Sequence, residues 1–199
     1  MEPLIKSGIQ LADEIIEDVD LSGQILTAAK FSDCDFINCR FVETELHSCR
    51  FVNCEFKGCD LSLLQIPGCT FSGTSFLKSK LLGINWTVAD WSGPRLNDPL
   101  LFRSCIINHS VFIGLHLPEI QVIECEAADV DWRESNLEKA DFSGTDLTDS
   151  QFTNASLKQA DFSQARSYTI LPDECDITQA KFSLPEALSL LYNLNINLT

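Results

Sequence analysis

The chain is short of positive charge. Fourteen Lys and Arg stand against 29 Asp and Glu, giving a net charge of −15 and a pI near 4.4. Gripping a nucleic-acid backbone needs the opposite balance, so no direct nucleic-acid binding is expected. Histidine is scarce: His47, His109 and His116 are far apart, and no His–Glu metal pair is present. The nine glycines are scattered, and none forms a phosphate-cradling loop. No apolar run is long enough to span a bilayer. The first twenty residues carry Glu2, Asp13, Glu14, Glu17, Asp18 and Asp20, which does not suit a secretory leader, so a cytoplasmic location is expected. No stretch reads as a linker, and one domain is expected. Catalytic residues, metal, cofactor and small-molecule substrate are all expected to be absent, and with them enzymatic activity.

What the chain does have is a period of five. Phe31, Phe36, Phe41, Leu46, Phe51, Phe56, Leu61, Ile66, Phe71, Phe76, Leu81, Trp86 and Trp91 recur every fifth residue. After a one-residue slip near 97–101 the count resumes at Phe102 and runs through Phe112, Val122, Trp132, Phe142, Phe152 and Phe162. With each large residue called position i, all nine cysteines fall at i−2, a slot that elsewhere holds Ala, Ser or Thr. A cysteine interchangeable with alanine behaves as a small buried hydrophobe. Neither disulfides nor zinc are expected of such cysteines.

Five is neither the 3.6 of a helix nor the 2 of a strand. Positions i−2 and i can share one inward face, and the chain must then turn. Eight of the nine glycines, among them Gly58, Gly68 and Gly144, lie at i+2. That offset points to a backbone position of positive φ, the third residue of a type II turn. Ile66-Pro67-Gly68 reads as one such turn. A corner every five residues gives a solenoid whose coils stack only on their neighbours. How many sides it has does not follow from the period.

The segments Ala140-Asp141-Phe142-Ser143-Gly144, Thr145-Asp146-Leu147-Thr148-Asp149 and Ala160-Asp161-Phe162-Ser163-Gln164 resemble the pentapeptide-repeat family. The resemblance implies an all-β fold, a right-handed four-sided β-helix with twenty residues per coil. About eight coils at ~4.8 Å give a rod of roughly 40 Å. It stacks Phe31, Phe51, Phe71 and Trp91 on one side and Phe36, Phe56 and Phe76 on the next. Residues 1–18 are expected to be an irregular cap, 19–182 the β-helix, and 183–199 a C-terminal helix and short strand.

Three stretches, Cys59–Pro67, Leu82–Trp91 and Phe182–Ala187, resemble the Qnr, MfpA, McbG and AlbG subgroup of that family, and the albicidin-resistance branch most of all. The resemblance implies an acidic rod that mimics DNA, dimerises through its C-terminal end, and binds DNA gyrase or topoisomerase IV. It would then modulate the enzyme or guard it against quinolone or albicidin-type inhibitors. The alternative is a scaffold binding some other protein. Between Glu119 and Asp161 there are eleven acidic residues and three basic ones. Asp131, Glu134, Asp141, Asp146, Asp149 and Asp161 are the expected anionic face.

At the C-terminus, Ser183-Leu184-Pro185-Glu186 reads as a capping box with Pro in the first turn. A helix is expected over about 184–193. Leu184, Ala187, Leu188, Leu191 and Leu194 would form a stripe sealing the last coil. Leu190 and Tyr192, off that stripe, would leave a second apolar surface. Leu184, Leu188, Leu190, Leu191, Tyr192 and Leu194 are the cap and dimer candidates.

Overall fold

In the computed structural model the chain winds into a four-sided parallel β-helix. The structure describes residues 5–92 and 100–194, with backbone only for 192–194. Each side is one five-residue unit. On face 1 the strands Gln10–Ala12, Lys30–Ser32, Arg50–Val52 and Thr70–Ser72 form one parallel sheet. On face 2 six strands stack: Ile15–Glu17, Asp35–Ile37, Glu55–Lys57, Ser75–Leu77, Leu101–Arg103 and Gln121–Ile123. Leu21, Phe41, Leu61, Leu81, Ile107, Ala127 and Leu147 point inward from face 3, and Leu26, Leu46, Ile66, Trp86, Phe112, Trp132 and Phe152 from face 4.

The coil period follows from backbone pairing. The N–H of Leu21 donates to Arg40 O at 2.8 Å, and the N–H of Arg40 donates to Val19 O at 2.9 Å. The groups between corners pair with neighbouring coils in this way, while corner N–H groups such as that of Thr44 close on Phe41 O of the same turn at 3.1 Å, so the buried backbone is satisfied. The corners sit at i+2 with positive φ whatever the side chain: Asp33 at 52°, Leu63 at 58°, Glu134 at 60°. The Ile66-Pro67-Gly68 turn forms as expected, with Cys69 N–H donating to Ile66 O at 3.1 Å.

The core is a set of ring ladders. On face 2, Phe36, Phe56, Phe76 and Phe102 stack at 4.5, 5.1 and 5.2 Å. On face 1, Phe31, Phe51 and Phe71 stack at 5.1 and 5.2 Å. All nine cysteines are free and buried. Their thiols also work as donors: Cys39 to Ile16 O at 3.3 Å, Cys69 to Leu46 O at 3.2 Å, Cys105 to Phe76 O at 3.2 Å. Thr44 and Ser135 hydroxyls make the same bond in the same slot, to Leu21 O and Phe112 O. A small donor explains the interchange of Cys with Ser and Thr better than apolar character alone.

Two expectations need correction, and a third, the C-terminal helix, holds with a different pitch. The irregular cap over 1–18 is regular coil from about residue 8: Gln10–Ala12 and Ile15–Glu17 pair in register with the coil above. The interruption near 97–101 lengthens its coil by six residues, not one, because Ser75 pairs with Leu101 while every other coil step is twenty. Six is one repeat plus one residue, so only the slip of one shows in the phase. The C-terminal helix is 3-10, over Glu186–Leu194. The expected strand at Ile196 and Leu198 lies outside the described residues.

Candidate functional site: the acidic half and the C-terminal end

The six anionic candidates fall on three faces. Asp141 and Asp161 stack in register on face 2, before the inward Phe142 and Phe162. Asp146 stands on face 3, and Asp149 ends that side at the next corner, with φ of 58°. Asp131 and Glu134 flank Trp132 on face 4. The structure brings Asp141 to Asp161 and Asp146 near Asp149, but it does not gather all six on one surface.

Four of them also have a local task. Asp131, Asp141, Asp146 and Asp161 each accept a hydrogen bond from the backbone N–H two residues on, at 2.9–3.1 Å. This Asx turn orders the repeat corner, which is why the slot before the large apolar residue favours Asp. Three are ion-paired as well: Asp131 with Arg133 at 2.7 Å, Asp146 with Arg166 at 3.1 Å, Asp161 with Lys181 at 2.9 Å. The Arg133 guanidinium holds the Asp131 carboxyl below the usual carboxylate range. Burial pushes Asp146 up, but hydrogen bonds from Thr148 and the nearby Arg166 more than reverse it. Asp161 behaves the same way, with Ser163 and Lys181 outweighing burial. Glu134, Asp141 and Asp149 make no ion pair among the described residues. The pairs of Asp146 with Arg166 and of Asp161 with Lys181 span one coil, so a twenty-residue spacing of opposite charges was the signal in the sequence.

At the C-terminal end the capping box does not form. Ser183 Oγ accepts from Gln164 N–H at 3.1 Å, and Glu186 Oε1 accepts from Ser167 N–H at 2.6 Å. Among the described residues the last coil has no coil above it, and these N–H groups take side-chain acceptors instead. The leucine stripe also rotates. Leu190 packs against the core, while Leu184 is 77% and Leu188 40% exposed. A 3-10 helix turns every three residues, so 187 and 190 share a side. Leu191 is half-buried, and the side chains of Tyr192 and Leu194 lie outside the described residues.

Just before this end the repeat loosens. Ser167 takes a positive φ out of phase, and Tyr168 turns inward to 2% exposure. A half-open cleft of about 250 Å³ lies beside it, lined by Asp149, Phe152, Thr169, Leu171 and Cys175 among others. Among the described residues no cluster of His, Cys, Asp or Glu suits a metal ion, and no helix is long and apolar enough to cross a membrane.

None of the curated proteins matches the chain. Solved structures of QnrB1, described as a plasmid-mediated fluoroquinolone resistance protein, share its fold. A trypsin-treated variant aligns with a TM-score of 0.67 at 16% identity, covering 96% of this chain and 98% of that one. Full-length QnrB1 aligns with a TM-score of 0.57 at 14% identity, covering 94% of this chain and 100% of that one. The family model for the pentapeptide repeat region matches residues 29–101 and 96–162, and with a corner every five residues around a four-sided coil, the chain belongs to the pentapeptide-repeat family.

Proposed function

We propose that the rod works in the cytoplasm, by binding and without catalysis, as a partial DNA mimic that engages DNA gyrase or topoisomerase IV. It modulates that enzyme or protects it against quinolone or albicidin-type inhibitors. The observation that carries this reading is an acidic rod sharing its fold, end to end, with a fluoroquinolone resistance protein. The charge supports it in part. B-DNA carries one charge per ~1.7 Å, so ~40 Å of duplex carries roughly 24, against −15 here. Glu134, Asp141 and Asp149, which make no ion pair among the described residues, are the residues most available to a basic saddle. The exposed Leu184 and Leu188 would carry a homodimer contact through the C-terminal end.

One observation favours a second reading, a scaffold that binds another protein. The six acidic candidates are spread over three faces, and three of them already have a counter-ion.

Supercoiling by purified gyrase, with the protein titrated in and with or without ciprofloxacin or albicidin, separates the two. Restored supercoiling in drug establishes protection. Inhibition without rescue keeps the mimic and discards resistance. No effect well above stoichiometry leaves the scaffold.

A further inference from the structure

The outward column of face 3 is a charge ladder. Asp20, Arg40, Asp60, Lys80, Ile106, Glu126, Asp146 and Arg166 follow one another in register, one per coil. Alternation eases repulsion between side chains stacked ~4.8 Å apart, yet Lys80 and Asp60 make no ion pair of their own among the described residues. The order of signs also has a property that stacking alone does not need: it complements its own reverse.

Two rods laid face to face and antiparallel are related by a two-fold axis running across the coils. With the axis at Ile106, Lys80 meets Glu126, but Asp60 meets Asp146 and Arg40 meets Arg166. With the axis one half-step earlier, Asp60 meets Glu126. With the axis midway between Ile106 and Glu126, Lys80 faces Asp146 and Asp60 faces Arg166, each twice, and no like charges are opposed in this column.

The same register is supported by the neighbouring corner column. Leu63 stands there 51% exposed, at a φ of 58°. The register sets it at the coil level of Arg166 of the second copy, where the corner goes out of phase at Ser167 and the cleft of about 250 Å³ that includes Phe152, Thr169 and Leu171 lies. An exposed leucine and a half-apolar cleft, five coils apart, thus come together in the register that the charges select. The column also sets His109 opposite Asp129.

We propose that face 3 is a self-complementary surface through which two copies pair side by side and antiparallel, with Leu63 of each copy seated in the other's cleft. The occupant is a second copy because both charge order and shape match within one chain. The two rods repel as whole bodies, but that field is screened within ~8 Å at physiological salt. Exposed ion pairs are individually weak, so the pair is weak and salt-sensitive. It covers Asp146 and Asp149, and would compete with any cationic partner of that surface.

The test is charge reversal read by sedimentation equilibrium in a Leu184→Glu background, which removes the end-to-end contact proposed above. With face 3 native, this chain is expected to dimerise in about 0.15 M NaCl and to dissociate at about 0.5 M, where the Debye length falls to a few ångströms. In the same background, Lys80→Glu alone and Asp146→Lys alone are each expected to be monomeric, since each opposes like charges twice. A one-to-one mixture of the two is expected to regain the dimer. In the mixed pair the introduced glutamate faces the introduced lysine, and the native Lys80 of one copy faces the native Asp146 of the other. Rescue by mixing shows that neither variant had merely misfolded. A Leu184→Glu chain monomeric at millimolar concentration would overturn the proposal, and so would a dimer indifferent to both charge reversals.

Discussion

Phe102 stacks on Phe76 at 5.2 Å with the ring planes 9° apart, although 26 residues separate them. The neighbouring pair Phe56 and Phe76, twenty residues apart, stacks at 5.1 Å. The ring ladder of face 2 therefore passes the lengthened coil without a gap. The six extra residues fall between Trp91 and Leu100 in the sequence, and the inward rings on either side keep their stacking.

The ladder should be least tolerant at its centre. Phe56 stacks on Phe36 and Phe76 and meets Phe41 and Phe51 edge-on. Phe56→Ala leaves a cavity between coils that backbone pairing holds at fixed spacing, so it is expected to cost about 3–5 kcal/mol. Phe182, at the last coil, stacks on Phe162 and touches Tyr168, and its replacement should cost less. Chemical denaturation of the two variants checks the order.

Corner glycines should differ among themselves. Gly114 has a φ of 70° and open space where a Cβ would go. Gly114→Ala is expected to cost only the left-handed strain, about 1–2 kcal/mol. At Gly73 a Cβ would stand 2.6 Å from Asn53 Oδ1, and the Asn53 amide is held by Asp33 at 3.0 Å. Gly73→Ala must also break that contact, so its unfolding midpoint should fall further.

These contrasts show what the sequence could and could not carry. The phase of Phe31, Cys34 and Phe36 was legible because inward slots of a narrow core admit few residue types. The lengthened coil was not, because a count by fives sees six residues as one. Ser183 and Glu186 carry a capping-box pattern in sequence, but the competing N–H groups of Gln164 and Ser167 come close only once the last coil is folded. A tally of acids along the chain from Asp131 to Asp161 does not define a face, which runs in steps of twenty, and it does not show Arg166 and Lys181 as counter-ions.

Acid should weaken the second half of the rod. Asp131, Asp146 and Asp161 all have carboxyls held below the ordinary value of 3.8. A depressed folded pKa gives stability that is present above the unfolded value and is lost as pH falls through the folded one. Thermal unfolding is thus expected to be nearly flat from pH 7 down to about 5 as far as these groups are concerned, then to fall steeply below about 4. Asp161→Asn, which removes the pair with Lys181, should lower stability at neutral pH and shrink the acid-dependent fall. A variant with an unchanged fall would show that the pair contributes nothing.

The last coil should depend on two acceptors that its neighbours do not need. A solenoid end presents backbone donors with no coil to receive them, and such edges invite association. Here Gln164 N–H is met by Ser183 Oγ and Ser167 N–H by Glu186 Oε1. Removing either leaves a donor to water, at a cost of roughly 1 kcal/mol. Glu186→Gln keeps an acceptor oxygen in place, whereas Glu186→Ala does not. Hydrogen exchange at the Ser167 amide is therefore expected to speed up markedly in Glu186→Ala and only slightly in Glu186→Gln. Ser183→Ala should affect Gln164 and spare Ser167. If instead both amides exchange faster in every variant, the whole end is fraying as a unit, and the two hydrogen bonds do not act as separate staples.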